Sequence, residues 1–276
     1  MDNSLKDKLT LLIHSCDNFS DLWDAHIELL NKNWPHRSVR TLIVTDSTTN
    51  KHYDNVEILS TGNGKEITER IKSVIPYIDT EFVLVTLDDY FPIYPVEDEK
   101  IARLIDIMEK EGYDYIRLFK RPKSKLKKTN YENLYEFSLD GDYRVNLYVG
   151  IWRKSFMFQT VREELNAWNY EVSLTRIARS LNAKVAVSYG HEFDILDVVR
   201  KGQILYSANR YLKRHDLYHG NRSVRPISAE IKLWIRTRIS DIASAILPVS
   251  VFVKIKRILV RCGIIRSFSA GKDIVN

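Results

Sequence analysis

Cysteine is scarce in this sequence. Its two residues, Cys16 and Cys262, lie far apart, which excludes a disulfide framework and a paired zinc pattern and suits a reducing compartment. No run of apolar residues is long enough to span a bilayer. The stretch from Met1 to Lys8 is polar and lacks the apolar core of a secretion signal. No GxGxxG follows the first predicted strand and no GxxxxGK[ST] occurs anywhere, which argues against a dinucleotide fold and a P-loop NTPase. Internal repeats and low-complexity tracts are also missing. What remains is a 276-residue chain, 44% hydrophobic and 28% charged. That is a globular composition, sized for one large α/β domain or one domain with an appendage. The formal charge of +6 points to acidic partners: phosphates, nucleic acid or an anionic membrane.

Apolar runs and helical periodicities alternate along the chain. Leu9 to Ser15, Thr41 to Thr45, Val56 to Leu59, Phe82 to Leu87 and Tyr115 to Phe119 read as strands. Phe19 to Trp34, Lys65 to Ile78 and Glu97 to Glu111 read as helices, the first stopped by Pro35. This is the rhythm of a doubly wound α/β domain. Lys120 to Lys128 is rich in Lys and Arg and reads as a loop, either a solvated charge run or a lip for an anionic acceptor. Tyr135 to Phe137 and Tyr143 to Trp152 are expected as strands. Trp168 to Glu171 should precede a helix reaching about Leu181, and Lys184 to Tyr189 should form a last strand.

The predicted strand Phe82 to Leu87 ends in Asp88 and Asp89. Its unbroken apolar run suits a buried, central strand of a parallel sheet. Ligands in open α/β sheets bind beyond the carboxyl ends of the strands. Two adjacent carboxylates there suit a hard divalent cation, and such a cation suits a diphosphate. An ordinary turn that caps the next helix is the competing reading.

Several stretches together resemble a GT-A-fold glycosyltransferase, of the family 2-like kind found in bacterial capsule and O-antigen polysaccharide biosynthesis. They are Leu87-Asp88-Asp89-Tyr90, similar to a DxD motif; Asp46 at the end of an earlier strand; Gly150 to Lys154 followed by Trp168 to Glu171; and Val199-Arg200-Lys201-Gly202. The likeness covers roughly residues 8 to 210. The sequence departs from the family at Ser15-Cys16-Asp17-Asn18, where a proline and an asparagine are usual, and it has no QxxRW segment of a processive synthase.

The resemblance implies a Rossmann-like, mostly parallel sheet flanked by helices, and transfer of a sugar from a nucleotide sugar, a UDP-sugar by preference, to a saccharide or lipid-linked acceptor. It implies Mn²⁺ or Mg²⁺ held by Asp89 and Asp88, with His191 as a third ligand. Asp46 would read the uracil, and Ser15 and Asp88 would join the donor site. Arg200 and Lys201 would hold the diphosphate from a mobile loop. Glu171 is the expected general base of an inverting reaction, with Asp89 the second catalytic carboxylate. A nucleotidyltransferase of sugar metabolism and a non-enzymatic basic membrane- or nucleic-acid-binding protein are the alternatives. The clustering of charge in the 120–128 loop and the tail, away from aromatics on a sheet, argues against nucleic acid.

Residues 1–228 are expected to form the catalytic domain, and 229–276 a basic amphipathic helical extension. There Ile231, Ile235, Ile239, Ile242 and Ile246 recur at helical spacing, with Lys232, Arg236 and Arg238 beside them. Such a segment can lie on an anionic membrane surface. The expected location is therefore cytoplasmic, peripheral on the inner face of the membrane.

Overall fold

The computed structural model describes residues 4–121, 125–232 and 234–235. A short helix α1 (Leu5–Lys8) leads into β1 (Leu9–His14), and a 3-10 segment (Asp17–Leu22) runs into helix α2 (Trp23–Asn33). Then come β2 (Arg40–Thr45), β3 (Glu57–Ser60), α3 (Ile67–Val74), β4 (Phe82–Leu87), β5 (Tyr90–Pro92) and α4 (Asp98–Glu111). The second half holds β6 (Tyr115–Arg117), β7 (Leu126–Lys128), β8 (Leu134–Phe137), β9 (Gly150–Arg153), α5 (Lys154–Thr160) and α6 (Ala167–Ser180). It closes with β10 (Val185–Ser188), β11 (Ile195–Asp197), β12 (Val199–Arg200), β13 (Gln203–Ile204) and α7 (Tyr206–His215).

The fold is α/β, built on one nine-stranded sheet in the order β3-β2-β1-β4-β9-β6-β10-β8-β7. Only β9 and β8 run against the other strands, so the sheet is mostly parallel in direction. β4 lies in its interior, between β1 and β9. Both faces are covered, which is why β1 and β4 are apolar throughout instead of alternating. Leu9, Leu11 and Ile13 of β1 join one core with Trp23, Ile27 and Leu30 of α2 and Ile101, Leu104 and Met108 of α4. Leu12 of the same strand faces the other core, with Ile67 and Ile71 of α3, Phe156 of α5 and Leu174 of α6. A third cluster joins Ala25 and Leu29 of α2 to Phe91 of β5, Val199, Ile204 and Leu212 of α7. It ties the β12–β13 hairpin and α7 to the domain.

From β1 the chain winds outward through β2 to β3, then returns to place β4 on the other side of β1. The strand order therefore reverses between β1 and β4. That reversal opens a crevice at their carboxyl ends.

The structure corrects several expected elements. Tyr143 to Val149 is irregular, and only Gly150–Arg153 is strand. Side chains take the backbone donors that a ladder would need. Thr175 Oγ1 accepts from the amides of Arg144 (2.8 Å) and Val145 (3.2 Å), and Asn146 Oδ1 accepts from Tyr148 (3.1 Å). Trp168 to Glu171 lie inside α6, whose N-cap is Asn166. The basic run 120–128 is not all loop: its end, Leu126–Lys128, is an exposed edge strand. Lysines suit such an edge because they discourage pairing with another chain. Residues 227–232 are helical, and Ile227, Ile231, Trp234 and Ile235 are exposed. The remainder of the expected amphipathic extension lies outside the described residues. Among the described residues no helix is long and apolar enough to cross a membrane.

Candidate active site

The crevice between β1 and β4 is held together from its two strand ends. Asp88 donates its backbone N–H to His14 O at 3.1 Å. Ser15 Oγ donates to Asp88 Oδ2, and Trp23 Nε1 donates to Ser15 Oγ at 2.7 Å. The Cys16 amide also reaches the Asp88 carboxylate. On the other side, His26 Nδ1 lies 3.0 Å from the backbone oxygen of Asp88. Asp88 is 6% exposed. Burial pushes its carboxyl up to about 7, against the Ser15 hydroxyl and the Cys16 amide. Burial likewise lowers His26 to about 4, so it stays a neutral support.

Asp89 is placed differently. Its backbone oxygen accepts from Val198 N at 2.9 Å, which fixes the residue against the segment leading to the β12–β13 hairpin. Its Oδ1 is buried and has no hydrogen-bond partner. Burial raises its carboxyl well above the ordinary range, and the charges of Asp88 and Asp197 raise it further. An unpartnered buried carboxylate oxygen beside a second carboxylate is costly unless a cation or a proton compensates it. Asp89 Oδ1 is thus the one ligand atom of the pair left open to a cation, the Asp88 carboxylate being taken by Ser15 and Cys16. No third ligand joins the pair: among the described residues no group of three His, Cys, Asp or Glu could hold a metal. His191, expected as that third ligand, is engaged elsewhere, with Asp194 Oδ2 2.6 Å from its Nδ1 and Lys120 Nζ 2.9 Å from its Nε2.

A two-stranded ribbon builds the next wall. β5 pairs antiparallel with β11, setting Asp197 opposite Tyr90. Asp197 accepts from Arg200 Nη2 at 2.8 Å. Burial raises the Asp197 carboxyl, against the attraction of Arg200. Arg200 is thus held by a partner on a short strand; Lys201 forms the exposed turn beyond it, with φ +55°, followed by Gly202 at φ +76°. The expected mobile loop is a tight hairpin.

Aromatic rings pack between these groups. Tyr148 stacks on Tyr90 with centroids 5.6 Å apart, and on Phe119 at 4.3 Å. Glu171 reaches the same place from α6, where its Oε1 accepts from Leu147 N at 3.4 Å. Burial raises its carboxyl against that one weak donor. After burial itself, Tyr90 feels the charges of Asp89, Asp197 and Glu171, and Tyr148 feels those of Arg200, Asp197 and Glu171. The charges of Asp89, Asp197, Arg200 and Glu171 are therefore all felt by one pair of stacked tyrosines.

Asp46 stands at the end of β2. Its Oδ1 accepts from the amides of Asp17 (2.7 Å) and Ser47 (3.0 Å), which pins the start of the 3-10 segment to that strand. Burial raises the carboxyl, but those donors and the charge of Arg70 outweigh it and hold Asp46 below the ordinary range. Asp197, Tyr148, Arg70 and Arg222 were not singled out by the sequence reading. Asp197 alone had a local signal, an acidic residue three positions before Arg200. Arg222 donates to Asp21 Oδ1 at 2.7 Å and to Asn18 O, and its charge also reaches Asp88.

No family model and no curated protein matches this chain. Similar solved structures include residues 1–349 of S. aureus TarS in complex with UDP, at 14% identity over 67% of this chain and 59% of that one, TM-score 0.48. The bifunctional IspDF of Campylobacter jejuni is similar at 16% identity over 69% of this chain and 52% of its own, TM-score 0.42. The 2-C-methyl-D-erythritol 4-phosphate cytidylyltransferase of Thermus thermophilus is similar at 11% identity over 70% and 94%, TM-score 0.44. The chain thus spans about half the length of IspDF and three-fifths of the TarS fragment. These likenesses are too distant to bear on function.

Proposed function

We propose that this protein is a glycosyltransferase that moves a sugar from a nucleotide sugar, by preference a UDP-sugar, to a saccharide or lipid-linked acceptor, in the manner of GT-A-fold enzymes of surface-polysaccharide synthesis. The observation that carries this reading is the carboxylate pair at the switch point, where Asp88 is saturated with partners and Asp89 keeps a buried oxygen free. Asp89, with Asp88 behind it, would hold Mn²⁺ or Mg²⁺. The ion, when bound, neutralises a leaving diphosphate. Arg200, held by Asp197, adds positive charge on the same side. Asp46 and Ser15 line the nucleotide end. The Tyr90–Tyr148–Phe119 stack offers apolar faces suited to sugar rings. Glu171, a carboxyl raised by burial, suits the general base that takes the acceptor proton in an inverting reaction. The tail would hold the enzyme on the inner face of the membrane, near a lipid-linked acceptor.

The test is a panel of nucleotide sugars incubated with the protein, with and without Mn²⁺, followed for release of nucleoside diphosphate. Ion-dependent release of UDP from a UDP-sugar is expected. Release of pyrophosphate from a nucleoside triphosphate and a sugar phosphate, with no activity on nucleotide sugars, would make the protein a nucleotidyltransferase instead.

A further inference from the structure

We propose that Arg222 is a donor-binding residue, whose guanidinium joins Arg200 in holding the phosphate groups of a nucleoside diphosphate at the mouth of the β1–β4 crevice. That the diphosphate is the leaving group of a nucleotide sugar rests on the glycosyl-transfer reading; the anion site itself does not.

The segment after α7 carries Arg222 back to the start of the chain. Asp216, at φ +53°, ends α7, and the amide of the buried Leu217 donates to Leu212 O at 3.1 Å. Ile204 N donates to Ser223 O at 3.0 Å and Arg225 N to Ile204 O at 2.7 Å, so the chain around Val224 runs parallel to β13. Gln203 Nε2 adds a bond to Ser223 Oγ at 3.2 Å. The backbone at Arg222 therefore rests on the same hairpin that carries Arg200. Its side chain ends elsewhere, on the 3-10 segment Asp17–Leu22. Nε donates to Asp21 Oδ2 and Nη2 to Asp21 Oδ1, each at 2.7 Å, and Nη2 donates also to Asn18 O. The guanidinium lies 4.5 Å from the centre of the Phe19 ring. Tyr218 Oη donates to Asp21 Oδ2 at 2.7 Å, which fixes the carboxylate that holds the fork.

These contacts place Arg222 with respect to the carboxylate pair. The 3-10 segment begins next to Cys16, whose amide reaches the Asp88 carboxylate. The hairpin begins next to Val198, whose amide donates to Asp89 O. Arg222 thus runs from the segment that contacts Asp89 to the one that contacts Asp88. The charges agree with this path: Asp88 and Arg222 feel each other, and Asp89 feels Arg200. Each carboxylate of the pair has its own guanidinium.

An arginine offers five N–H donors in one plane. Asp21 and Asn18 take those of Nε and Nη2. Both N–H groups of Nη1 have no partner among the described residues. A latch that only pinned the segment to the 3-10 turn would be complete without them. The side chain is 14% exposed, and the fork and the Phe19 ring set its plane, so little order remains to be gained on binding an anion. Phosphate oxygens accept such paired N–H groups by strong charge-assisted bonds. Asp88 and Asp89 repel a diphosphate, and a second cation beside them offsets that repulsion.

The test is calorimetry on the full chain, at fixed Mg²⁺, with UDP, UMP and inorganic pyrophosphate. Arg222→Gln should weaken UDP and pyrophosphate by about tenfold or more and UMP by less, so that the ratio of UDP to UMP affinity falls. Tyr218→Phe removes a bond of the latch and keeps the guanidinium; it should leave the ratio unchanged. Arg222→Gln with an unchanged ratio, or an equal fall in Tyr218→Phe, makes Arg222 a latch only and overturns the proposal. If Arg222→Gln does not fold, phenylglyoxal labelling of the wild type, read at Arg222 by mass spectrometry, decides. UDP and pyrophosphate should slow the modification, and an unaltered rate overturns the proposal. Pyrophosphate binding that depends on Arg222, without UDP binding, keeps the anion site and removes the glycosyl-transfer reading. UDP binding indifferent to Arg222 removes only the anion site. A wild type that binds neither UDP nor pyrophosphate overturns both.

Discussion

Ser15 Oγ donates to Asp88 Oδ2 across the point where the sheet reverses its strand order. The same hydroxyl accepts from Trp23 Nε1, so one small side chain joins β1, β4 and α2. Ser15→Ala should therefore destabilise the fold by about 1–3 kcal/mol, taking one donor from the buried Asp88 carboxyl and leaving the Trp23 indole N–H without its acceptor. The pH dependence carries a sign. Asp88 is raised from 3.8 to about 7 in the folded protein, so the native state binds more protons than the unfolded state between those values. Its contribution to stability is fully present below about 3.8 and is lost as pH rises through about 7. Without the hydroxyl, that loss should continue to higher pH. Urea unfolding of both proteins at about pH 5 and about pH 8 measures this; superimposable curves would contradict it.

Asp89→Asn should raise stability at neutral pH while abolishing activity. The carboxyl is raised well above its ordinary value by burial and by the charges of Asp88 and Asp197. Ionising it in the free protein is unfavourable, and the amide removes that cost. Each kcal/mol relieved should appear as about 2–4 °C in Tm. The gain should shrink toward about pH 4, where the wild-type carboxyl is already protonated. Mn²⁺ should raise the Tm of the wild type more than that of the variant. A lower Tm for Asp89→Asn at about pH 8 would show that its carboxylate is stabilising and that the free Oδ1 is no cation site.

Glu171→Gln should keep UDP-sugar binding and lower turnover by about 10²–10⁴-fold. The side chain has one weak hydrogen bond, to Leu147 N, so the amide is expected to fold normally. The direction of its pKa shift, upward through burial, should appear as an acidic limb in kcat/KM that the variant lacks. NMR of the product gives the anomeric configuration. Retention would remove the need for this base.

The central strands could be read in the sequence because burial on both faces leaves an unbroken apolar run, as in Phe82 to Leu87. The carboxylates were visible for the same reason, since they end that run. Which of them is free was not. It depends on Ser15, Cys16 and Trp23, which meet Asp88 only through the pairing of β1 with β4. Asp197 reaches the site through the β5–β11 ribbon, whose register no local pattern announces. The stretch 143–149 has the composition of a strand, yet Thr175, Asn146 and Glu171 take its backbone donors. His191 carried a plausible ligand signature, but its partners were set by a turn that buries Glu192 beneath it.

The exposed face at 227–235 leads to the last prediction. Ile227, Ile231, Trp234 and Ile235 are 50%, 50%, 57% and 45% exposed, a helical spacing of apolar side chains turned to solvent. Lys232 lies among them, and Arg236 and Arg238 follow in sequence. A soluble surface gains nothing from such a stripe, whereas a headgroup layer accepts its apolar side and attracts its cations by about 1 kcal/mol each. The full chain should co-sediment with vesicles rich in phosphatidylserine, less so as salt is added, and hardly with neutral vesicles. The double substitution Ile231→Asp and Ile235→Asp, at exposed positions, should abolish co-sedimentation without lowering Tm. If the wild type ignores anionic vesicles, the membrane reading fails. If the double variant instead unfolds, those isoleucines belong to a core, and the stripe is packed against the protein's own surface.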